Sequence, residues 1–397
     1  MTAWGCQVEI GPHIFAGGDA RALALWRAYA GTSATLLSLR RAVESPFGTL
    51  EYPFHSRELL RRLPISLLLR SARDLVRARA TPATGVEPDS TEEWIARRYG
   101  RTLYDVLLRS YVEKLWGTPG SEIDAGFARA LLGARSTGDR PPSADVQVDA
   151  QTFLYPRGGA STVWEGMAAR IRRGGTIALD ARVSAIRPAA DGGATLVTDD
   201  ASTRYARLIS TIPLGRLLTL LPDVPTRVTA AQASLRARNV LVVHLLVTGM
   251  AHSPYLWLYV QDPALQVGRI TDTANWNATP THGGDTVVTM EYWCSDDDAF
   301  WRTDDNAVIH HAGRELRRTR AGRSATVESG QVMRLRGALP VPQRGYGPRL
   351  DLVRAYVAQL GIETVGRHGG FTLGSMADVM AEGMQAADRA ARGLPLP

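Results

Sequence analysis

Hydrophobic residues recur every three or four positions in several segments, which is the period of a helix with one buried face. This spacing predicts helices over Ala20–Ala30, Thr303–Arg318 and the closing segment Ser375–Ala391. Capping boxes, in which a hydroxyl and an acidic side chain satisfy early backbone N–H groups, predict two more helix starts. Ser90 with Glu93 opens a helical region that extends to Leu115. Thr162 with Glu165 opens a helix whose inward side chains are expected to be Val163, Trp164, Met167, Ala168 and Ile171.

Other segments alternate hydrophobic and polar residues, or are continuously hydrophobic over a few positions, as strands are. They predict strands over residues 8–15, 49–54, 152–155, 176–186, 194–198, 207–212, 240–247, 255–261, 268–272, 286–293 and 363–365. Asp191-Gly192-Gly193 between two of these strands indicates a hairpin. Helices first, then a hairpin, a series of strands and a final strand–turn–helix predict a mixed α/β (α+β) fold.

Residues 57–79 form a basic, leucine-rich segment that Pro64 interrupts. The favoured interpretation is a pair of helices that cap a substrate cavity. A helix that lies on a membrane surface is the alternative. Residues 81–89 and 133–150 are polar and contain proline, which predicts a linker and a loop.

Composition limits the function classes. The 397 residues are 45% hydrophobic and carry a net charge of +7, but Lys114 is the only lysine among 46 basic residues. The arginines are dispersed among acidic residues, so nucleic-acid binding is not expected. Cys6 and Cys294 lie far apart, and residues 1–15 have no secretory pattern, which favours a reduced, cytoplasmic protein. No apolar stretch reaches the ~20 residues of a membrane span, so any membrane contact should be peripheral.

Several short motifs follow one another along the chain. They are Gly11-Pro12-His13-Ile14-Phe15, Tyr111-Val112-Glu113-Lys114-Leu115-Trp116-Gly117, Tyr155-Pro156-Arg157-Gly158-Gly159, Val183, Ile209-Ser210-Thr211-Ile212-Pro213, Gly366-Arg367 and Ser375-Met376-Ala377-Asp378. In this order and spacing they resemble the FAD-dependent amine-oxidase and protoporphyrinogen-oxidase superfamily, especially the branch similar to UDP-galactopyranose mutase. The resemblance covers the chain from residue 4 onward.

This resemblance implies a GR2-type FAD/NAD(P)-binding, Rossmann-like domain and non-covalently bound FAD. The cofactor domain would comprise residues 1–19, 150–215 and 350–397. A substrate domain of helices and antiparallel sheet would comprise 20–149 and 216–349. The implied cofactor-binding residues are Gly11, Pro12, His13, Val183, Thr211, Gly366, Arg367, Ser375 and Met376. The implied contacts to a small-molecule substrate are Tyr111, Trp116, Tyr155 and Arg157.

One expected motif is missing. A dinucleotide domain normally has a Gly-x-Gly-x-x-Gly turn, where glycine backbone and a helix N-terminus hold the pyrophosphate. The sequence contains no such motif, and only ten residues precede Gly11. We therefore expect a cofactor domain that is incomplete at its N-terminus. The absent unit would lie on a partner polypeptide, would have been lost, or would precede a misplaced start codon.

Individual residues have competing interpretations. His13 in an apolar neighbourhood would contact the flavin or be a hydrogen-bonded core residue. Lys114 is expected to form a structural ion pair rather than hold a water at the flavin. Tyr111 and Trp116 would stack on a substrate ring or belong to the core. The N-terminus of the last helix, capped by Ser375 and Asp378, would stabilise negative charge on reduced flavin.

The expected activity is flavin-dependent oxidation, in which the flavin takes a hydride from a C–H bond beside a heteroatom or in a conjugated ring. A non-redox sugar-nucleotide mutase and an inactive fragment or regulatory subunit are the alternatives. No Gly-x-Ser-x-Gly motif is present. His310 and His311 point to different sides of a predicted helix, so no metal site is expected.

Overall fold

The computed structural model describes residues 2–15, 19–32, 34–80, 87–132, 152–251, 253–276 and 285–394. The strands are β1 (Thr2–Ala3), β2 (Cys6–Gln7), β3 (Thr35–Ser38), β4 (Arg41–Ser45), β5 (Gly48–Tyr52), β6 (Thr152–Tyr155), β7 (Val183–Pro188), β8 (Ala194–Thr198), β9 (Ser202–Tyr205), β10 (Leu208–Ser210), β11 (Ala237–Thr248), β12 (Trp257–Val260), β13 (Arg269–Asp272), β14 (Thr286–Cys294), β15 (Thr326–Pro340) and β16 (Ile362–Thr364). The helices are α1 (Ala20–Ala30), α2 (Ser56–Arg62), α3 (Ile65–Ala80), α4 (Thr91–Tyr99), α5 (Arg101–Leu107), α6 (Arg109–Trp116), α7 (Ala125–Leu132), α8 (Ser161–Ile171), α9 (Leu214–Thr219), α10 (Thr226–Ala233), α11 (Ala299–Arg302), α12 (Asp305–Arg318), α13 (Tyr346–Gln359), α14 (Gly366–Gly369) and α15 (Met376–Arg392).

A seven-stranded mixed sheet is the largest element of the described ranges. Its strand order is β15-β11-β14-β13-β12-β4-β5, and β12 and β4 are its parallel neighbours. The interior strand β11 is almost entirely buried, and Val308, Ala312 and Leu316 of α12 pack with it in one core. The apolar face of α12 thus covers one face of the sheet.

A second sheet consists of the parallel strands β10 and β16, in which Leu208 pairs with Ile362 and Ser210 with Thr364. Hydrophobic side chains of α9, α10 and α13 form the core beside it. A third core joins α1, α8 and α15, where Phe15 stacks on Trp26 with ring centroids 4.7 Å apart. The fold is therefore a mixed α/β fold, as the sequence predicts.

The short helix α14 links the parallel pair to the large sheet. A Cβ atom on Gly369 would lie 2.6 Å from the carbonyl oxygen of Ser210 and 3.0 Å from Cα of Thr211. On the other side, His368 Nε2 lies 3.2 Å from the carbonyl oxygen of Ala338 on β15. Only a residue without a side chain permits this approach of two backbones.

Lys114 attaches α6 to the large sheet. Its ammonium group donates hydrogen bonds to the carbonyl oxygens of Val260 (2.9 Å), Asp262 (2.8 Å) and Val267 (3.3 Å). Burial lowers the pKa of Lys114 to about 8. The role is structural, as expected, but the expected ion pair is wrong, because backbone carbonyls are the partners.

Many predicted elements are confirmed. Helix α1 and strand β6 have the predicted bounds, and Pro64 separates α2 from α3. Ser90 caps α4 by accepting from the Glu93 N–H, and Ser375 and Asp378 form the predicted capping box of α15.

Other predictions need correction. Residues 8–15 form no strand, and β7 begins only at Val183. Thr162 does not cap α8, which begins at Ser161, and Ala160 at the N-cap offers no side-chain hydrogen bond. Trp164 and Ile171, which were expected to point inward, are 42% and 51% exposed.

The helical region from Ser90 to Leu115 is divided into three helices, because Gly100 takes a φ of +92° and Leu108 leaves the helical conformation. The long edge strand β15 and the helices α9, α10 and α13 lie outside the predicted elements. The expected loop 133–150 and most of the linker 81–89 fall outside the described residues. The division into cofactor and substrate domains stays a prediction.

Gly369→Ala should destabilise the fold by about 2 kcal/mol, because the added Cβ must push two backbones apart. Gly383→Ala is the matched control. Gly383 lies inside α15 with nothing within 4 Å of its Cβ position, so alanine should stabilise by about 0.5–1 kcal/mol. Urea unfolding of both variants measures the two free energies, and equal values for the two would contradict the close approach.

Lys114→Met should lower the free energy of unfolding by about 2–3 kcal/mol at pH 7, because three carbonyl oxygens lose a charged donor. The pKa in the folded state, about 8, lies below the ordinary value of 10.5. Between these values the unfolded chain binds more protons, so the stability contributed by Lys114 rises with pH. The difference in free energy of unfolding between wild type and variant should therefore increase from pH 8 to pH 10. A difference that decreases over this range would contradict the lowered pKa of Lys114.

Candidate functional site

Residues of β13, β14, α6 and α14 lie around the segment that contains Gly11. A Cβ atom on Gly11 would lie 3.5 Å from each carboxylate oxygen of Glu291 and 3.6 Å from Nη2 of Arg269. Glu291 lies on β14 and Arg269 on β13, directly opposite each other in the sheet. The backbone at Gly11 therefore passes over a charged pair on the large sheet.

Arg269 and Glu291 form a two-point ion pair. Nε of Arg269 donates to Oε1 of Glu291 at 2.6 Å, and Nη2 donates to Oε2. Glu291 is 3% exposed. Burial alone would lower the pKa of Arg269, but the charge and hydrogen bonds of Glu291 raise it. The two side chains thus satisfy each other's charge and hydrogen bonds, and the carboxylate of Glu291 is engaged by Arg269.

Arg367 of α14 brings a second guanidinium to this place. The Arg367 side chain reaches solvent, and partial desolvation together with the positive charge of Arg269 lowers its pKa. Its Nη2 donates a hydrogen bond to the carbonyl oxygen of Gly374 at 3.3 Å. Because Glu291 is already paired with Arg269, the two arginines leave an excess of positive charge. Such a place favours a bound anion.

Aromatic rings border the same pair. Tyr111 of α6 lies edge-on to Tyr259 at 5.1 Å and to Trp293 at 5.4 Å between ring centroids. The guanidinium of Arg269 lies 6.0 Å from the centre of the Trp293 ring. Burial and the neighbouring Tyr259 raise the pKa of Tyr111, which keeps the phenol neutral. In this aromatic wall Tyr111 and Trp293 are 6% and 7% exposed and belong to the core, so the half-buried Tyr259 offers a ligand the most surface.

The carboxylate of Glu9 holds the segment 11–15, which contains His13, through hydrogen bonds. Its carboxylate accepts hydrogen bonds from His13 Nδ1 at 2.6 Å, from the Tyr155 hydroxyl at 2.6 Å and from the Ala160 N–H at 2.9 Å. Burial would raise the pKa of Glu9, but the hydrogen bonds from His13 and Tyr155 lower it. An ionised carboxylate only accepts, so Nδ1 of His13 carries the proton and Nε2 remains for another contact.

Sequence analysis did not identify Glu9, Arg269, Glu291 or Tyr259. Glu9 carried a usable signal, because it is an acidic residue in an apolar segment four positions before His13. Arg269 and Glu291 had no such signal. Their pairing depends on the register of two strands that are 22 positions apart.

The N-terminus of α15 supplies further donors. Ser375 Oγ accepts from the Asp378 N–H, and the Val379 N–H bonds to the Ser375 carbonyl oxygen. The N–H groups of Met376 and Ala377 remain available, because first-turn donors have no acceptor inside a helix. The Gly366 N–H, by contrast, already donates to Glu382 Oε2 at 2.9 Å.

The remaining predicted site residues lie in different surroundings. Thr211 is exposed beside Gly369, and Val183 begins the hairpin β7–β8 next to a register shift. Trp116 is 2% exposed and lies edge-on to Phe127, which favours its core interpretation. Arg157 is exposed, and Pro12 is partly buried. The structure brings together Gly11, Tyr111 and Arg367, and separately His13 with Tyr155.

Two cavities adjoin these residues. A small one of about 10 Å³ lies between Glu9, Gly11, Tyr155 and the sheet residue Thr289. A larger one of about 610 Å³ is lined by Lys114, Arg238 and Trp293 among others. Within the described ranges, no group of three or more histidine, cysteine or acidic side chains could hold a metal ion. No helix there has the length and apolar character needed to cross a membrane.

Comparisons with solved structures support the resemblance at the level of the fold. A reduced UDP-galactopyranose mutase has 18% identity and a TM-score of 0.78, with 96% of this chain and 83% of that chain covered. A protein from Exiguobacterium sp. 255-15 assigned as a protoporphyrinogen oxidase has 18% identity and a TM-score of 0.71, covering 96% and 87%. Cyclohexylamine oxidase from Brevibacterium oxydans IH-35A has 16% identity and a TM-score of 0.63, covering 97% and 88%.

No curated protein matches the sequence. The sequence does match the family described as flavin containing amine oxidoreductase over residues 3–390, nearly the whole chain. The chain therefore belongs to the flavin-containing amine oxidoreductase family.

Proposed function

We propose that the chain is an FAD-dependent oxidoreductase whose substrate is oxidised at a C–H bond beside a heteroatom or in a conjugated ring. Bound flavin would supply the hydride acceptor. The observation that carries this proposal is the Gly11 backbone passing over the Arg269–Glu291 pair, with Arg367 of α14 near enough for the charge of Arg269 to lower its pKa. An electron-rich ligand would balance the surplus positive charge at this junction.

The residues at the junction fit the ring end of a flavin. Reduced flavin carries negative charge on its pyrimidine side, and Arg367 together with the free N–H groups of Met376 and Ala377 would stabilise that charge. Gly11 has no side chain, so a flat ring can approach its backbone closely. In this arrangement Arg367 would hold the anionic edge, and the backbone at Gly11 would limit the position of the ring.

The chain's own side chains would position the substrate and the histidine. Tyr111, Tyr259 and Trp293 form an aromatic wall that would orient a flat or apolar substrate. Glu9 fixes the orientation of the His13 ring through Nδ1, so Nε2 would be the atom presented to a ligand. This makes Glu9 a positioning residue for His13.

The alternative activities lack a specific supporting observation. A sugar-nucleotide mutase would need arginines that converge on a diphosphate-sized pocket beside the flavin. Arg269 is engaged by Glu291 and is therefore not free to bind a diphosphate. An inactive fragment or regulatory subunit would bind no flavin, which the measurements below distinguish.

We further propose that the adenosine half of FAD depends on residues supplied by a partner polypeptide. The sequence has no Gly-x-Gly-x-x-Gly motif. Among the described residues β16 pairs only with β10, and a groove of about 420 Å³ is lined by Ile362, Glu363 and Thr364. Such a groove has room for a further strand that would bring a glycine-rich turn.

Arg367→Met should weaken flavin binding by about tenfold or more, because one charge-assisted hydrogen bond is worth roughly 1.5–3 kcal/mol. Arg317→Met is the control, since Arg317 is an exposed arginine near the C-terminus of α12. Quenching of flavin fluorescence on titration with protein measures both dissociation constants. Equal affinity of the Arg367→Met variant and the control would remove Arg367 from the proposed site.

The 397-residue chain alone should bind FAD at most about tenfold more tightly than FMN. The adenosine half would otherwise add several charge-assisted hydrogen bonds, each worth about 1.5–3 kcal/mol, and hence at least two decades of affinity. The same titration with FMN and with FAD tests this. A preference for FAD of a hundredfold or more would show that the adenosine site is complete without a partner. Binding of neither flavin would instead favour the regulatory alternative.

A further inference from the structure

The helices α2 and α3 expose large hydrophobic side chains. Leu60 is 64% exposed, Ile65 76%, Leu69 67% and Val76 66%. Ile65, Leu69, Ala72 and Val76 follow one another at spacings of four, three and four residues, so they share one face of α3. Ala72 is also exposed. An apolar stripe thus runs along the outer side of this helix.

The opposite side of α3 attaches it to the protein through polar contacts and the half-buried Leu67, Leu68 and Leu75. The carboxylate of Asp74 accepts from the Thr102 N–H at 2.8 Å and from the Thr102 hydroxyl at 2.7 Å. Ser71 is buried, and a Cβ atom on Gly100 would lie 3.1 Å from that of Asp74. A surface helix normally buries its apolar stripe and exposes polar residues. In α3 the apolar stripe faces solvent.

Positive charge accompanies the stripe. Residues 56–80 contain seven arginines and two acidic residues. Arg70, Arg73 and Arg77 are exposed and lie along one flank of the stripe on α3, while Arg61 and Arg62 at the end of α2 are exposed as well. The acidic residue of α3, Asp74, faces Thr102 on the packed side. The outer surface of α2 and α3 is therefore both apolar and cationic.

We propose that α2 and α3 dock on the surface of an anionic lipid bilayer. Ile65, Leu69 and Val76 would enter the boundary between headgroups and acyl chains, and the arginines would lie among the lipid phosphates. An anionic membrane complements both features, because its acyl chains accommodate the apolar stripe and its phosphates attract the flanking arginines. The earlier interpretation of residues 57–79 as a cavity cap does not account for side chains that are two-thirds exposed.

A second copy of the chain is a poorer occupant for this surface. Self-association through α2 and α3 would bring two strongly cationic faces together, and like charges repel. Docking on a membrane is independent of the proposed flavin chemistry. It concerns an exposed face that shares no residue with the Gly11 and Arg367 site.

Co-sedimentation with vesicles tests the proposal on the full chain. Wild type should sediment with vesicles of phosphatidylglycerol and phosphatidylcholine, sediment less as salt rises, and remain in solution with phosphatidylcholine alone. Ile65→Ser with Leu69→Ser should reduce the partition coefficient by about tenfold or more. Leu179→Ser is the matched control, because Leu179 is 72% exposed outside these helices.

The arginines are tested in the same way. Arg70→Gln with Arg73→Gln should lower binding to the anionic vesicles by about 25-fold, at roughly fivefold per charge near the surface. Arg227→Gln with Arg317→Gln is the control, since both of these arginines are exposed on α10 and α12. The four substituted positions on α3 are exposed, so thermal unfolding of the variants should match wild type.

Three results would overturn the proposal. Wild type that stays in solution with anionic vesicles would exclude a membrane site under these conditions. Equal loss of binding in the α3 variants and their controls would assign binding to general charge rather than to α3. A dimer in sedimentation velocity that Ile65→Ser dissociates would assign the stripe to self-association.

Discussion

The close approach of Gly369 to Ser210 and Thr211 is the constraint on which the arrangement of the site depends. It presses α14 against the end of the parallel pair, while His368 on the same short helix reaches the carbonyl oxygen of Ala338 on the large sheet. A helix of four residues is thereby held between two sheets. Arg367 lies on the same short helix, where the charge of Arg269 lowers its pKa after the effect of desolvation.

The electrostatics of the junction follow from that geometry. A buried arginine is tolerated when a carboxylate engages it, and Glu291 does so for Arg269. Arg367 has no comparable carboxylate partner among the described residues, and it shares its surroundings with Arg269. In the proposed function, an electron-rich ligand would balance this charge. This matches the flavin of the family to which the chain belongs.

Helix α3 shows how a local polar contact can help to set which face of a helix is exposed. Asp74 is fixed by Thr102 of α5, and Leu67, Leu68 and Leu75 are half-buried, so Ile65, Leu69 and Val76 stay on the outer side. Helix α12 has the opposite arrangement, with Val308 and Leu316 in the core of the large sheet. Amphipathic spacing alone describes both helices equally well. The partner on the packed side decides which face is exposed.

The sequence by itself determined the features that depend on neighbouring residues. The bounds of α1 and β6, the break at Pro64 and the capping box of Ser375 and Asp378 arise from local sterics and local hydrogen bonds. The motifs around Gly11, Tyr111 and Gly366 were also sufficient to indicate the family. The exposure of Trp164 and Ile171, the edge strand β15 and the division of the Ser90–Leu115 region could not be predicted in the same way.

Only the tertiary structure decided which charges meet. Glu9 with His13 and Tyr155, Arg269 with Glu291, and Arg367 beside Arg269 each join residues through packing or strand register. A spacing rule along the chain cannot supply such pairings, because the partners of a buried charge are chosen by the fold rather than by the neighbours in sequence.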